Sequence, residues 1–314
     1  MEKIVGVIKA LCISEKRGTV KRPVESVELI ENFGLAGDAH AGSWHRQVSL
    51  LSFDKVEEFN AKGGRVTAGD FGENILVAGI DFRSLPVGTV LRCGKVVLRM
   101  TQIGKNCHSH CEIFKRVGDC IMPREGVFAV VEHGGELKVS DSIEAELPTA
   151  DTALRAAVMT LSDKGSRGER VDTSGPRAAE ILQQAGYEIV EMVLLPDEQN
   201  QIERELKRLA DQRQVDLIIT TGGTGMSLRD CTPEATMAVA TRNVPGIAEA
   251  IRAGSMLITK RAMLGRGASV LRNNTLIVNL PGSKKAVEES LELILSELEH
   301  GIRILKGSAS ECGR

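Results

Sequence analysis

The sequence predicts a multidomain protein: an N-terminal β-barrel followed by a C-terminal α/β domain on a doubly wound, mostly parallel sheet. Three observations predict this. At 314 residues the chain is long for one hydrophobic core and suits two of about 150 residues each. The first half alternates short apolar runs with glycines, whereas the second alternates continuous apolar runs with stretches of helical periodicity. Between them residues 147–154 (LPTADTAL) combine proline with small polar residues, as linkers do. The boundary is expected near Thr149, giving domains over residues 1–148 and 149–314.

In order along the first domain, strands are expected over residues 3–13, 48–51, 73–77, 89–91, 96–100 and 127–132, the rhythm of a barrel or sandwich. A helix over 53–61 would take Ser52 as its N-cap, and Gly134-Gly135 reads as a hairpin turn between Val131 and Leu137. Beyond the linker come a strand at 156–161, a helix at 176–185, a strand at 189–195, a helix at 198–210 and a strand at 215–221. A helix from Pro233, another near Ile247, a strand at 275–280 and a closing helix from about 285 to 299 complete the chain. Such βαβ alternation implies parallel strands with helices on both faces. Local punctuation agrees: Gly186 is placed to end the first of these helices, Asp197 to cap the second, and Thr232 to cap a helix with Pro233 at its first position.

Composition narrows the function. With 42% hydrophobic and 26% charged residues, the chain reads as an ordinary globular protein. Its 40 basic and 42 acidic residues nearly cancel, so there is no broad basic footprint for nucleic acid or an anionic membrane. The opening residues lack a signal-peptide apolar core, and charges interrupt every later apolar run before about 18 residues. A cytoplasmic location with neither membrane nor nucleic-acid partner is expected. Seven cysteines, an odd number widely spaced, argue against a disulfide framework and leave thiol or metal chemistry open.

The most informative segment is VDLIITTGGTGMSLRDCTPEAT, residues 215–236. A buried strand ending at Thr221 runs into Gly222, Gly223, Thr224 and Gly225, then Arg229-Asp230, then a helix start at Thr232-Pro233-Glu234. Glycines let the backbone approach an anion, and the helix N-terminus adds a positive dipole end. Arg229 could pair with a phosphate oxygen, and Asp230 could hold magnesium that neutralises neighbouring phosphates. No Walker lysine follows, so the segment is neither a P-loop nor a dinucleotide fingerprint. Ser162-Asp163, Pro196-Asp197-Glu198 and the run Pro281-Gly282-Ser283 also follow strands. In a parallel sheet these carboxyl ends share one edge, so Asp163, Asp197, Asp230 and Ser283 are expected to converge on one crevice. The plain alternatives are a tight turn for the glycines and helix capping for the acids.

The segments TLSDKGSRGERVDTSGP, LLPDEQ, TTGGTGMSLRDCTPEAT and TLIVNLPGS, in that order, resemble the motifs of the MogA/MoaB family over about residues 156–306. The resemblance implies molybdopterin binding and a homotrimer. For the MogA branch it also implies transfer of AMP from MgATP to the terminal phosphate of molybdopterin. By that likeness Asp197 and Asp230 match the two acids implicated in adenylyl transfer, with Asp230 on magnesium, and Gly222 to Gly225 match the loop for pterin phosphate and nucleotide. Ser162, Asp163, Thr221, Arg229, Thr232, Glu234, Pro281, Gly282 and Ser283 fall in the matched segments as expected ligand contacts. A carrier that holds molybdopterin without consuming ATP is the alternative.

In the first domain, GDAHAGSWHRQVSLLS (37–52) and NCHSHCEIFKRVGDCIMPREGVF (106–128) gather His40, His45, His108 and His110 with Cys107, Cys111 and Cys120. Zinc is one reading, although Cys107-His-Ser-His-Cys111 is compressed relative to paired Cys-x-x-Cys ligands. A thiolate favoured by Lys105, His108 and His110 is another, and packed cysteines a third. Arg46 and Arg124 suit anion contacts or a solvated surface equally. Cys12, Cys93, Cys231 and Cys312 have no spacing that assigns them chemistry.

These segments, with DFGENI and VGTVLRCG, resemble the MOSC domain over about residues 6–146. That resemblance implies a β-barrel tied to molybdenum-cofactor sulfuration, cofactor binding or sulfur carriage. Cys107 matches the cysteine region, and His40, His45, Arg46, Cys111 and Arg124 are expected around a bound molybdenum cofactor. The segment lacks the Arg-x-Pro-Cys form of many members, which leaves the thiol between Cys107 and Cys111. Both resemblances point to molybdenum-cofactor biosynthesis, with other proteins of that pathway as partners.

Overall fold

The computed structural model describes residues 3–105 and 112–307. Contacts divide the chain into two compact units, Met1–Thr149 and Ala150–Arg314.

The N-terminal unit contains β1 (Ile4–Ile13), β2 (Arg22–Val24), β3 (Ser26–Ile30), β4 (Gly34–Leu35), β5 (Val48–Ser52), α1 (Phe53–Ala61), β6 (Ile75–Ala78), β7 (Val90–Cys93) and β8 (Val96–Ile103). After these come α2 (Glu112–Val117), α3 (Met122–Glu125), β9 (Val127–His133), β10 (Gly135–Lys138) and β11 (Ser142–Glu146). Seven strands close a barrel in the order β11-β7-β8-β9-β5-β6-β1, with β1 pairing back to β11. β1 makes closure possible because it serves three partners: Ile4–Val7 face β11, Val7–Leu11 face β6, and Leu11–Ile13 face β2. Its register shifts between Ile8 and Ala10, and such a bulge bends the strand. Ile8, Leu50, Ile75, Val77, Leu98 and Val131 fill the interior.

The hairpin expected at Gly134-Gly135 does not form. β10 pairs antiparallel with β3, in a separate sheet of order β10-β3-β4. The chain passes so close to β3 that a Cβ on Gly134 would lie 2.5 Å from the Leu29 carbonyl oxygen, and Gly135 takes φ +152°. Ser52 does sit at the start of α1, but its side chain accepts no capping hydrogen bond.

The C-terminal unit contains β12 (Arg155–Leu161), α4 (Asp163–Ser166), α5 (Ser174–Gln184), β13 (Glu188–Leu195), α6 (Gln199–Lys207), β14 (Leu217–Thr221) and α7 (Thr232–Ala238). It ends with β15 (Arg242–Asn243), α8 (Pro245–Ile258), β16 (Ser269–Arg272), β17 (Thr275–Leu280) and α9 (Lys284–Leu305). The sheet order is β13-β12-β14-β17-β16-β15; the first four strands are parallel and the last two antiparallel. Alternate residues bury opposite faces. Val158, Ile219 and Val278 pack on α5, α8 and α9 through Leu182, Ile251 and Leu291, while Met159, Ile218 and Ile277 pack towards Leu206 of α6 and Ala235 of α7. Burial on both faces is why these strands read as unbroken apolar runs. No described helix is long and apolar enough to cross a membrane.

A charged network lies buried in the barrel unit. The Lys21 ammonium is 2.6 Å from Asp38, with side chains 2% and 0% exposed. Asp38 also accepts from the Ser14 amide (2.9 Å) and from Asn74 Nδ2 (3.2 Å), and Asn74 in turn bonds Ser49 and the Cys12 carbonyl. Removing one partner would strand a buried ammonium. Asp38→Ala is therefore expected to lower the stability of this unit by about 3–5 kcal/mol. The fluorescence of Trp44, the chain's single tryptophan, followed in urea, measures it; a change under 1 kcal/mol would show that water reaches Lys21.

Candidate functional site

In the C-terminal unit the carboxyl ends of β12, β13, β14 and β17 meet. Gly222 takes φ +94° and Gly223 φ +61°, a backbone that side chains disfavour. A Cβ on Gly222 would stand 2.3 Å from the Leu161 carbonyl oxygen, so the loop after β14 runs directly against the end of β12. Thr232 does not cap α7; Cys231 occupies that position, and Thr232 Oγ1 donates instead to the Gly222 carbonyl at 2.9 Å. Gly282 approaches Gly222 from the third loop, within 3.1 Å measured from its ideal Cβ.

The acids are cross-linked through the backbone. The Asp163 amide donates to Asp197 Oδ2 and the Asp197 amide to Asp163 Oδ1, both at 3.1 Å. Asp197 thus ties β12 to β13, while Glu198 holds the cap position of α6. Asp197 Oδ1 is buried without a hydrogen-bond partner. Burial, reinforced by the charges of Asp163 and Asp230, pushes the Asp197 carboxyl above its ordinary range; Arg229, bonded to Asp163, pulls that acid below it. Two carboxylates, each bonded to the other residue's amide, are thereby shifted in opposite directions. Arg229 Nε and Nη2 each lie 3.0 Å from Asp163, and Nη2 lies 2.8 Å from Glu198. Asp230 Oδ2 accepts from the Ser227 amide at 3.1 Å. Ideal Cβ atoms on Gly223 and Gly225 would fall 2.7 Å from Asp197 Oδ1 and 2.8 Å from Asp230 Oδ2, so the glycines keep open the space these oxygens face.

That space suits magnesium accompanying a nucleotide, which takes one or two carboxylates together with phosphate and water oxygens. Among the described residues, no three His, Cys, Asp or Glu side chains gather as an all-protein metal cage. Beside it lies a cavity of about 290 Å³ lined by Ser162, Thr221, Gly222, Gly282, Ser283 and Arg170 among others. Ser162 and Ser283 cap α4 and α9, so both hydroxyl groups sit at helix N-termini. A second, more apolar cavity of about 470 Å³ adjoins Thr224, Gly225 and Pro281 on the other side of the loop.

Sequence reasoning missed Asp172 and Arg266. Asp172 accepts from Thr160 Oγ1 (2.6 Å) and from the amides of Ser174 and Gly175, and Ser174 Oγ lies 2.9 Å from Thr221 Oγ1. Asp-Thr-Ser-Gly ahead of an apolar run is a readable helix start, so this residue had a signal. Arg266 had none, because its partners, two carbonyl groups and Glu234, lie about thirty to forty residues away.

In the barrel unit a cavity of about 820 Å³ is lined by Lys21, His40, Trp44, Arg46, Lys105 and Arg116, with Asp70 the single acid among its described lining residues. The Arg46 guanidinium is 4.7 Å from the centre of the Trp44 ring and 5.5 Å from that of Phe128. His40 Nδ1 is 3.8 Å from Asp38. His45 and Arg124 do not line the cavity: the His45 carbonyl accepts from Thr101 Oγ1, and Arg124 pairs with Asp119 through two bonds of 2.9 Å. Cys107, His108, His110, Cys111 and Cys312 lie outside the described residues. Burial pushes the Cys12 thiol up to about 12 and the Cys93 thiol up to about 11, which keeps both inert. Glu73 is fully buried beside this cavity; the Gly69 amide donates to Oε1 at 2.6 Å, and Oε2 has no partner.

A glycine loop, acids and capped helix starts at the carboxyl edge of a sheet can hold phosphorylated ligands, here on one chain with a barrel whose described cavity lining includes Arg46, Lys105 and Arg116. Residues 157–300 match the family model described as a probable molybdopterin binding domain, and residues 37–144 match the MOSC domain. The molybdopterin adenylyltransferase of Helicobacter pylori is 36% identical over 157 residues, 49% of this chain and 89% of that protein. That of Haemophilus influenzae is 43% identical over 141 residues, 44% of this chain and 72% of that protein. The crystal structure of the molybdopterin biosynthesis enzyme MoaB from Thermus thermophilus shares 44% identity, covering 49% of this chain and 97% of that one, with a TM-score of 0.47. The chain belongs to the MogA/MoaB family, joined to an N-terminal MOSC domain.

Two expectations follow. Asn at position 197 can still accept from the Asp163 amide while removing like charge, so Asp197→Asn should leave the thermal midpoint unchanged or raised; a fall of several degrees would show the carboxylate to be structural. Burial, opposed by the Gly69 amide and aided by Asp70, pushes Glu73 from 4.5 up to about 7. Its folded value exceeds its unfolded one, so the barrel is expected to lose up to about 3 kcal/mol as pH rises from 4.5 through 7. Urea unfolding followed through Trp44 across that range tests this, and Glu73→Gln should flatten the slope.

Proposed function

We propose that the protein acts in molybdenum-cofactor biosynthesis, its C-terminal domain transferring AMP from MgATP to molybdopterin. The observation that carries the reading is the crevice itself, in which the unpartnered Asp197 oxygen and Asp230 face one glycine-walled space beside a phosphate-sized cavity. The relatives named molybdopterin adenylyltransferase support it. A terminal phosphate oxygen of molybdopterin attacks the α-phosphorus of ATP. The new P–O bond forms as the bond to the bridging oxygen breaks, and pyrophosphate leaves. Thr221 to Gly225 and Ser283 place the phosphates, Asp230 takes magnesium, and Asp197 orders the magnesium–nucleotide complex. Positioning and charge neutralisation supply the acceleration, with no covalent enzyme intermediate.

The N-terminal domain is proposed to bind, deliver or sulfurate a later form of the cofactor. Its cavity, lined among the described residues by Arg46, Lys105 and Arg116 against Asp70, suits an anionic ligand, and Cys107 or Cys111 is its candidate thiol. We further propose a cytoplasmic homotrimer working with other proteins of the pathway. Exposed Leu257, Ile258, Met263 and Leu264 around α8 suit contact with a second copy.

Purified protein incubated with molybdopterin and MgATP, without molybdate, should yield adenylylated pterin and pyrophosphate in equal amounts. Asp230→Asn should lower that rate by about 100-fold or more. Tight pterin binding without pyrophosphate would instead establish a carrier.

A further inference from the structure

Between Gly225 and Asp230 the chain leaves the sheet edge in an excursion whose tip carries Met226 and Leu228, both largely exposed. Inside the excursion the bonds are few: the Ser227 amide to Asp230 Oδ2, the Asp230 amide to the Ser227 carbonyl at 3.0 Å, and the Arg229 amide to Ser227 Oγ at 3.3 Å. These set the Asp230 carboxylate relative to its own turn, but they do not set the turn relative to the sheet.

Arg229 does so at the exposed side, through Asp163 and Glu198, and Arg266, on the segment leading into β16, does so at the two ends. The Arg266 main-chain amide donates to the Thr224 carbonyl at 3.0 Å, Nε donates to the Gly225 carbonyl at 2.7 Å, and Nη2 donates to the Asp230 carbonyl at 2.7 Å. The remaining arm of the guanidinium pairs with Glu234 of α7. One side chain thus closes the two ends of the excursion onto each other and onto the helix that follows. The segment bearing Arg266 is itself anchored. Asn279 Oδ1 accepts from the Ala268 amide at 3.1 Å, while Asn279 Nδ2 donates to Thr220 and Thr236, both at 2.9 Å.

We infer that Arg266 is a positioning residue for AMP transfer, holding Asp230 and the glycine loop in one geometry without touching substrate. This rests on the adenylyl-transfer reading of the site. The planar fork is essential to it, because a lysine ammonium carries no rigid pair of donors that could bridge Gly225 and Asp230.

The test combines hydrogen exchange with kinetics for Arg266→Ala and Arg266→Lys. In the alanine variant the Ser227 and Asp230 amides are expected to exchange at least tenfold faster, with the β14 and β17 amides unchanged. The kcat for AMP transfer is expected to fall by about 100-fold, to be partly restored by added guanidinium ion, and to stay low in the lysine variant although its charge can still meet Glu234. Unchanged exchange in the excursion, faster exchange throughout the C-terminal unit, or full activity in the lysine variant would each overturn the inference. Local loosening in a protein whose unsubstituted form transfers no AMP would keep the clamp and remove only the reaction assigned to it.

Discussion

The contact between Gly222 and the Leu161 carbonyl oxygen is the constraint on which the C-terminal site depends. With 2.3 Å between that oxygen and any Cβ, only a glycine lets the loop after β14 lie against the end of β12. The parallel register then aligns Thr160 with Thr221 and Thr221 with Leu280, so three strands stop at one level and their loops share one crevice. Gly282 meets Gly222 backbone to backbone, which leaves the floor of the crevice without side chains. Everything polar in the site stands around that bare floor.

How far this was legible in the sequence depends on the range of the interaction. Continuous apolar runs separated by helical periodicity report burial on both faces of a strand, and the convergence of loops at carboxyl ends follows from parallel topology. Residues immediately after strands, such as Asp163, Asp197 and Ser283, were readable for that reason. Their detailed bonding was not. Asp197 and Thr232 sit where caps belong, yet the chain uses Glu198 and Cys231 there and turns both residues inward to bond neighbouring loops. A local propensity cannot announce a tertiary partner.

The barrel was less legible because its defining contacts are long-range. Closure comes from β1 meeting β11, strands separated by most of the domain, and a pattern of short strands suits a sandwich as well as a barrel. The double glycine at 134–135 carries a strong hairpin signal, but the strand after it finds β3 rather than β9. The buried set of Lys21, Asp38 and Asn74 was invisible for a related reason. Each residue is of a type usually found at the surface, and only the folded chain reveals that they satisfy one another.

Arg229 has a consequence for what the crevice admits. Both carboxylates that hold it, Asp163 and Glu198, belong to the protein, so the guanidinium is already neutralised before any ligand arrives. An incoming anion meets a site where two carboxylates already outnumber that cation, and must compete for it by exchange. A small free anion gains little from such a trade, whereas a polyphosphate arriving with its own divalent counterion need not make it. The resting crevice is therefore biased against the abundant simple anions of its surroundings by a charge pattern the chain supplies to itself.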